Sequence, residues 1–94
     1  MQYGFFEWDD EKAEQNAREH HVTFFEATDV FYDPARIEFY DEEHSEEEGR
    51  YAGIGFSRKG RLLFVVFTPR GERIRIISAR TAEREEEKRY EQGS

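Results

Sequence analysis

Several residue types and patterns are missing from this sequence, and each absence excludes a class of protein. None of the 94 residues is cysteine, so the chain has neither a disulfide framework nor a thiolate metal site. No apolar run approaches the roughly 18 residues of a membrane span, and no signal peptide is evident. We therefore expect a cytoplasmic protein with no membrane contact, folded as one domain over residues 1–94.

Motifs for nucleotide, metal and covalent chemistry are also missing. There is no phosphate-binding loop of the G-x-x-x-x-G-K-[ST] type, no H-E-x-x-H, no EF-hand spacing and no nucleophile elbow. His44 lies in an acidic loop with three glutamates, but a solvated loop explains this cluster better than a cation site does. We expect no cofactor and no metal.

Aromatic residues and charges are abundant. Charged residues make up 38% of the chain, and the nine Phe, five Tyr and one Trp still favour a folded domain because each buries a large area. The first 50 residues carry four basic and sixteen acidic side chains, whereas residues 51–94 carry ten basic and six acidic ones. Such an asymmetry indicates either a charged partner or two halves that neutralise each other.

Residues 5–8, FFEW, are apolar enough for a short strand or an anchoring extended segment. Capping signals then predict two N-terminal helices. Asp9 is suited to cap a helix over residues 10–20, with acidic residues in its first turn. Thr23 and Glu26 form a T-x-x-E capping box for a second helix, which the Asp-Pro pair ending at Pro34 stops.

The hydrophobic period then changes from helical to alternating. Four strands are predicted, over residues 36–41, 50–57, 61–68 and 73–79. Their short connections favour an antiparallel meander, and Thr81 can cap a last helix reaching Tyr90. The predicted fold is therefore α+β, with two N-terminal helices, a four-stranded antiparallel meander sheet and a C-terminal helix (ααββββα).

Arginines are concentrated in the last predicted strand. Arg73 and Arg75 share one face. Ser78 and Arg80 lie on the other face unless a bulge interrupts the strand at the two isoleucines between them. Guanidinium groups grip phosphate bidentately, and beside aromatic rings they suit single-stranded RNA. The alternative is a solvated sheet face balanced by the acidic half.

Metal-free cleavage of RNA requires a deprotonated 2′-hydroxyl, a stabilised phosphorane and a protonated leaving oxygen. Arginine supplies the second requirement. His20, Glu7, Lys12 or a tyrosine are candidates for the proton transfers.

Four motifs in order resemble one known family over roughly residues 6–91. They are FEWDDEKAEQNAREHHVTFFEATDVFYDP at 6–34, HSEEEGRYAGIGFS at 44–57, GRLLFVVFTPRGERIRIISAR at 60–80 and A-x3-E-x3-Y at 82–90. In these segments the sequence resembles the BrnT toxins of bacterial type II toxin–antitoxin modules. The matching positions are Trp8, Asp9, Lys12, Asn16, His20, Arg50, Gly55, Ile76, Ser78, Arg80, Ala82, Glu86 and Tyr90.

The resemblance implies a RelE-like fold and a metal-independent endoribonuclease. It also implies a BrnA-type antitoxin partner, whose ribbon-helix-helix part binds operator DNA, so that DNA is contacted only through the complex. On these positions and on side-chain chemistry, the predicted catalytic residues are Arg80, Arg50, His20 and Lys12. The predicted RNA-binding residues are Arg61, Arg70, Arg73, Arg75, Tyr90 and Trp8.

Two departures from the family pattern support an alternative function. The family usually has glycine where this chain has His21, so His21 must adopt a positive φ or alter the turn. The last helix, usually basic, carries acids, including Glu83, Glu85 and Glu87. The alternative is a catalytically weak or inactive homologue that binds the antitoxin in operon autoregulation. Direct DNA binding has no helix-turn-helix to support it.

Overall fold

The computed structural model describes residues 1–42 and 49–93, and in these ranges the chain forms six strands and three α-helices. The strands are β1 (Gln2–Tyr3), β2 (Phe6–Glu7), β3 (Ile37–Tyr40), β4 (Tyr51–Phe56), β5 (Leu62–Arg70) and β6 (Arg73–Thr81). The helices are α1 (Asp10–His20), α2 (Phe24–Thr28) and α3 (Arg84–Gln92), and a 3-10 helix (Asp29–Tyr32) follows α2 directly. One mixed sheet holds all six strands in the order β1-β2-β6-β5-β4-β3.

The predicted four-stranded fold is wrong, because an N-terminal hairpin adds two strands to the sheet. β1 and β2 pair antiparallel, and β2 then pairs parallel to β6, with Phe6 opposite Ile74 and Glu7 opposite Arg75. Each of these strands is two residues long, too short to produce an alternating pattern. A parallel pair also needs a long crossover, and the intervening helices and strands β3 to β5 provide it.

Two helix boundaries also differ from the prediction. The second predicted helix divides into five α-helical residues and the 3-10 helix. The last helix is capped by Glu83 rather than Thr81, because Thr81 still pairs with Leu63 in the sheet.

The two faces of the sheet are covered differently. We call the face that bears Leu63, Val65 and Phe67 the first face. These side chains are buried against α1, α2 and the 3-10 helix in the main hydrophobic core. The opposite or second face bears Phe64 and Val66, which alternate with them along β5. Helix α3 packs across one end of this second face and has no fully buried residue.

Asn16 fastens helix α1 to the sheet. Its amide nitrogen donates to the carbonyls of Val22 (3.0 Å) and Ala79 (2.8 Å), and its oxygen accepts from the Ala79 N–H at 3.1 Å. Strand β2 ends before it reaches Ala79, so this side chain takes the place of a neighbouring strand. Its burial follows from this role.

The ends of α1 follow the capping signals. The Asp9 carboxylate accepts from the N–H groups of Glu11 and Lys12, as predicted for an N-cap. At the other end His21 adopts the left-handed conformation with φ 58°. Of the two sequence-based options for His21, the positive φ is the one found.

None of the helices in residues 1–42 and 49–93 is long and apolar enough to cross a membrane.

Candidate functional site

A bulge in β6 brings its arginines to one face of the sheet. The pairing shifts between Val66 and Phe67, so that Val66 lies opposite Ser78 and Phe67 lies opposite Ile76. Ile77 is therefore the extra residue of the bulge. Partners in an antiparallel ladder point to the same face, so every β6 residue opposite an even-numbered β5 residue points to the second face. These residues are Arg73, Arg75, Ser78 and Arg80.

Without the bulge, Arg80 would point into the hydrophobic core. The sequence left two arrangements open, and the structure has the one with the bulge. We call the four residues Arg73, Arg75, Ser78 and Arg80 the arginine face.

Arg80 is the most constrained member of the arginine face. Its Nη1 and Nη2 atoms donate to the two carboxylate oxygens of Glu86, both at 2.8 Å, and Nη1 also donates to the Thr81 carbonyl at 3.2 Å. The guanidinium carbon lies 4.4 Å from the centre of the Phe64 ring. The Arg80 guanidinium holds the pKa of Glu86 below its usual value despite the opposing effect of burial, and Glu86 raises the pKa of Arg80. Both groups therefore stay charged at neutral pH.

Arg75 and Arg73 lie further along the same strand. Arg75 Nη1 donates to Glu7 Oε2 at 2.8 Å, across the parallel pairing with β2. Arg73 Nη1 donates to the Gly4 carbonyl at 2.7 Å, so it holds the turn of the N-terminal hairpin. Arg75 keeps 28% of its side chain exposed, which leaves part of the guanidinium accessible to a ligand.

Two further predicted arginines lie near the far end of this face. Arg70 ends β5 opposite Arg73 and so points to the second face. Arg50 precedes β4, and its carbonyl accepts from the Asp41 N–H at 2.8 Å. Alternation from Ala52, which lies opposite Val66, gives Arg50 the same face.

Arg61 is separated from these arginines. It pairs with Glu26 of α2, with Nε to Oε2 at 2.9 Å, and its Nη2 donates to the His21 carbonyl. Glu26 also accepts from the Ser57 hydroxyl at 2.7 Å. This group lies on the helix-covered side, so Arg61 joins α2 to the sheet.

Trp8 is a core side chain. Only 3% of it is exposed, and its ring packs edge-on against Phe24 and Phe25 at 5.8 and 5.0 Å. A base would have to displace these rings to stack on it, so the position of Trp8 favours a role in the core over RNA contact.

Lys12 and His20 lie on α1, which packs on the first face. The structure thus places them on the opposite layer from Arg80. His20 Nε2 lies 3.9 Å from the carboxylate of its neighbour Glu19. The four predicted catalytic residues are therefore not assembled around one point.

Tyr90 anchors α3 to the second face. Its hydroxyl donates to Asp33 Oδ2 at 2.7 Å, and its ring packs edge-on against Phe56 at 5.3 Å. Burial and the Asp33 carboxylate raise the pKa of Tyr90 to about 12. The hydroxyl therefore stays protonated at neutral pH and donates its hydrogen to Asp33.

An open cleft of about 930 Å³ lies between α3 and the second face. Phe39 and Phe64 form its apolar floor, with ring centres 6.2 Å apart. Arg80 lies over the Phe64 ring and Arg89 lies over the Phe39 ring. The two guanidinium groups place positive charge above an apolar floor, which suits the phosphate of an RNA strand.

The sequence did not indicate that acids hold these arginines. Glu7 was predicted as a candidate for proton transfer, and the structure pairs it with Arg75. Glu86 was among the family-pattern positions but was not assigned to the site. Its spacing from Arg80 gives no signal, because the two residues lie on different elements. The predicted acidic loop containing His44 lies mostly outside the described residues. Within residues 1–42 and 49–93 no group of three or more His, Asp or Glu side chains has the arrangement of a metal site.

Comparison with known proteins identifies the family to which this chain belongs. A family model described as "Ribonuclease toxin, BrnT, of type II toxin-antitoxin system" matches residues 8–86. The chain therefore belongs to the BrnT family, as its resemblance in sequence indicated. Membership of a type II system implies an antitoxin partner.

A solved structure shows the same fold. The ribonuclease toxin BrnT of Brucella abortus matches with a TM-score of 0.63 and 22% sequence identity, covering 82% of this chain and 94% of that one. No curated protein sequence matches the chain.

Proposed function

We propose that this chain is a toxin that cuts cellular RNA in the cytoplasm without a metal ion. The observation that carries this proposal is the bulge in β6, which aligns Arg73, Arg75 and Arg80 on one accessible face. Permanently charged guanidinium groups on one face can bind phosphates and stabilise a phosphorane.

The proposed roles follow from position. Arg80 contacts the phosphate at the cleavage point. Arg50, which lies towards the Arg75 end of the face, contacts flanking phosphates together with Arg70, Arg73 and Arg75. Tyr90 acts indirectly, by holding α3 beside the cleft, and Arg61 by holding α2. Lys12 and His20 remain candidate RNA contacts and proton carriers. Because they lie on the other layer, they act only on an RNA strand that passes around the sheet edge.

Cleavage of a labelled single-stranded RNA by the purified chain tests the proposal. We expect cleavage with EDTA present, and loss of at least about a hundredfold in rate for Arg80→Ala. Arg58→Ala is the matched control, because Arg58 is 86% exposed and lies outside the arginine face. Activity that EDTA abolishes and Mg²⁺ restores would disprove metal independence.

The partner is proposed to be a BrnA-type antitoxin with a ribbon-helix-helix domain. The support is family membership, since a type II system pairs the toxin with a protein. We expect the complex to bind operator DNA and the chain alone to leave it unbound, as seen in gel shifts with and without the partner. A shift produced by the chain alone would contradict this.

A second function is favoured by the acids beside the arginines. Glu7 and Glu86 already pair with Arg75 and Arg80, and Glu85 and Glu87 add negative charge to α3. A chain whose phosphate-binding groups are neutralised in this way serves as an antitoxin-binding partner with weak catalysis. Induction in cells without antitoxin separates the two: growth arrest by wild type and not by Arg80→Ala supports the nuclease. Intact growth and RNA with both chains supports the partner role.

A further inference from the structure

The hydrogen bonds of Arg80 leave one edge of its guanidinium group without a hydrogen-bond partner. The carboxylate of Glu83, which is 76% exposed, lies 4.0 Å from Nη2 but makes no hydrogen bond to it. A guanidinium has five N–H bonds. Nη1 uses both of its hydrogens, on Glu86 and on the Thr81 carbonyl, and Nη2 uses one on Glu86. In the described part of the chain, Nε–H and the second hydrogen of Nη2 make no hydrogen bond. These two hydrogens point in the same direction and form the side-on fork of arginine.

Glu86 is itself held in place by more than Arg80. Its Oε1 accepts from the Glu83 N–H at 2.8 Å, as part of the capping box that begins α3. Only 17% of the Glu86 side chain is exposed, compared with 32% for Arg80. The Phe64 ring covers one flat side of the guanidinium. Arg80 is therefore fixed in orientation by a carboxylate, a carbonyl and a ring.

We propose that Glu86 is a positioning residue, which holds Arg80 end-on so that its Nε–Nη2 edge faces a phosphate of RNA in the cleft beside α3. The inference rests on the proposed RNA-binding function and extends it to one residue. Glu86 is a poor general base, because both of its oxygens accept charge-assisted hydrogen bonds from Arg80 and its pKa is lowered. Its use is to fix the geometry of the phosphate contact.

The Glu7–Arg75 pair provides a matched comparison on the same face. Glu7 contacts Arg75 through one hydrogen bond, from Nη1 at 2.8 Å, so it contributes negative charge without a two-point hold. Removing either acid makes the face more positive by one charge. If charge alone mattered, Glu7→Gln and Glu86→Gln would both bind RNA more tightly. If Glu86 positions Arg80, the two substitutions change affinity in opposite directions.

The test measures the dissociation constant of a labelled, 2′-O-methylated RNA of about 12 nucleotides, which cannot be cleaved. We expect Glu86→Gln to weaken binding about tenfold, because Arg80 is then no longer held in position for its charge-assisted contact with the phosphate. We expect Glu7→Gln to tighten binding about twofold, because it removes one negative charge from the face. The Nε–H resonance of Arg80, identified by its absence in Arg80→Lys, should shift when RNA is added to wild type.

A double-mutant cycle distinguishes a positioning role of Glu86 from a general loosening of helix α3. Lysine keeps the charge at position 80 but has no fork, so in the Arg80→Lys background Glu86→Gln should no longer weaken binding. An equal loss in both backgrounds would mean that Glu86 acts through α3 alone, and the inference would be wrong. Binding by Glu86→Gln as tight as wild type, or no binding by wild type, would also overturn it. Tight binding of this RNA with no cleavage of unmodified RNA would refute the proposed nuclease and leave this inference standing.

Discussion

The hydroxyl of Tyr90 donates a 2.7 Å hydrogen bond to Asp33, and this bond ties the C-terminal helix to the segment after the 3-10 helix. Asp33 Oδ2 also accepts from the Phe56 N–H at 2.8 Å, and its Oδ1 accepts from the Ala35 N–H at 2.9 Å. One carboxylate thus joins three parts of the chain: α3, β4 and the turn before β3. The hydrogen bonds lower the pKa of Asp33 against the opposing effect of burial.

Removing the Tyr90 hydroxyl should weaken this junction. We expect Tyr90→Phe to lower the free energy of unfolding by about 1–2 kcal/mol, because a hydrogen bond to a charged acceptor is lost. Urea unfolding measures the loss, and hydrogen exchange should locate it in α3. Tyr32→Phe is the control, since the ring of Tyr32 is 65% exposed. Equal effects of the two substitutions would contradict the assigned role of the bond.

The same junction should respond to alkaline pH. The folded-state pKa of Tyr90 is about 12, raised from 10.0, so the neutral phenol contributes stability that is complete below pH 10. This contribution is lost as the pH rises from 10 towards 12. Wild type should therefore lose more stability over that range than Tyr90→Phe does. In a titration followed by phenolate absorbance, the tyrosine that ionises near pH 12 in the wild type should be missing from the variant.

The ion pair of Arg61 and Glu26 should contribute more to the stability of the fold than an ordinary surface ion pair does. The Glu26 side chain is 3% exposed, so Arg61→Ala leaves a nearly buried carboxylate without its cation. Because Arg61 itself is a third exposed and water can partly replace it, we expect a loss at the low end for buried pairs, about 2–3 kcal/mol. Arg58→Ala removes an exposed arginine that lies 3.8 Å from Asp29 and should cost less than about 0.5 kcal/mol.

Acid pH should weaken the same pair. Arg61 is the main cause that lowers the folded-state pKa of Glu26 below its ordinary 4.5. A lowered pKa contributes stability that is present above pH 4.5 and is lost as the pH falls through the folded-state value. Glu26→Gln should therefore be less stable than wild type at neutral pH, and this difference should shrink as the solution is acidified. A difference independent of pH would show that the charge of Glu26 is not what stabilises the fold.

Local signals predicted more of this fold than long-range ones did. The N-caps at Asp9 and Thr23 are confirmed because an N-cap depends on residues within three positions. The capping box predicted for Thr23 and Glu26 is only half formed, because the Glu26 carboxylate binds Arg61 and Ser57 instead. β2 lies in the segment 5–8 that was predicted to be a short strand or extended. β1 and the pairing of β2 with β6 were missed, because two-residue strands have no period and the parallel partner lies more than 60 residues away. Pairing between strands so far apart in the chain is decided by tertiary packing, which a short stretch of sequence does not reveal.

For the candidate site too, the residues could be predicted from the sequence, but their arrangement depends on the fold. The arginines of β6 were named from sequence, but their common face depends on a bulge that the sequence only allowed. The acids that hold them come from β2 and α3, and the fold alone brings these elements to β6. Lys12 and His20 were grouped with Arg80 by family pattern, and the layering of the fold separates them.

The left-handed residue at the end of α1 offers a stabilising substitution. His21 has φ 58°, a conformation that glycine adopts without steric cost. We expect His21→Gly to raise the free energy of unfolding by about 0.5–1 kcal/mol, as measured by urea unfolding. His21→Ala, which keeps the Cβ, should give no gain. A loss of stability with glycine would mean that the imidazole makes a contact that outweighs the strain.

Gly55 should tolerate no side chain, whereas its neighbour on the same strand face should. A Cβ at Gly55 would lie 2.9 Å from Val30 Cγ1, 3.2 Å from Arg36 Cβ and 3.3 Å from Asp33 Oδ2, so β4 or the 3-10 helix would have to move. We expect Gly55→Ala to cost about 1–3 kcal/mol through overpacking. At Gly53 the nearest atom is 3.5 Å away, an ordinary contact, so Gly53→Ala should be close to neutral. Equal unfolding free energies for the two alanine variants would mean that the 3-10 helix yields to the added methyl group. Because Asp33 also binds Tyr90, Gly55→Ala should further increase hydrogen exchange in α3, and Gly53→Ala should leave that exchange unchanged.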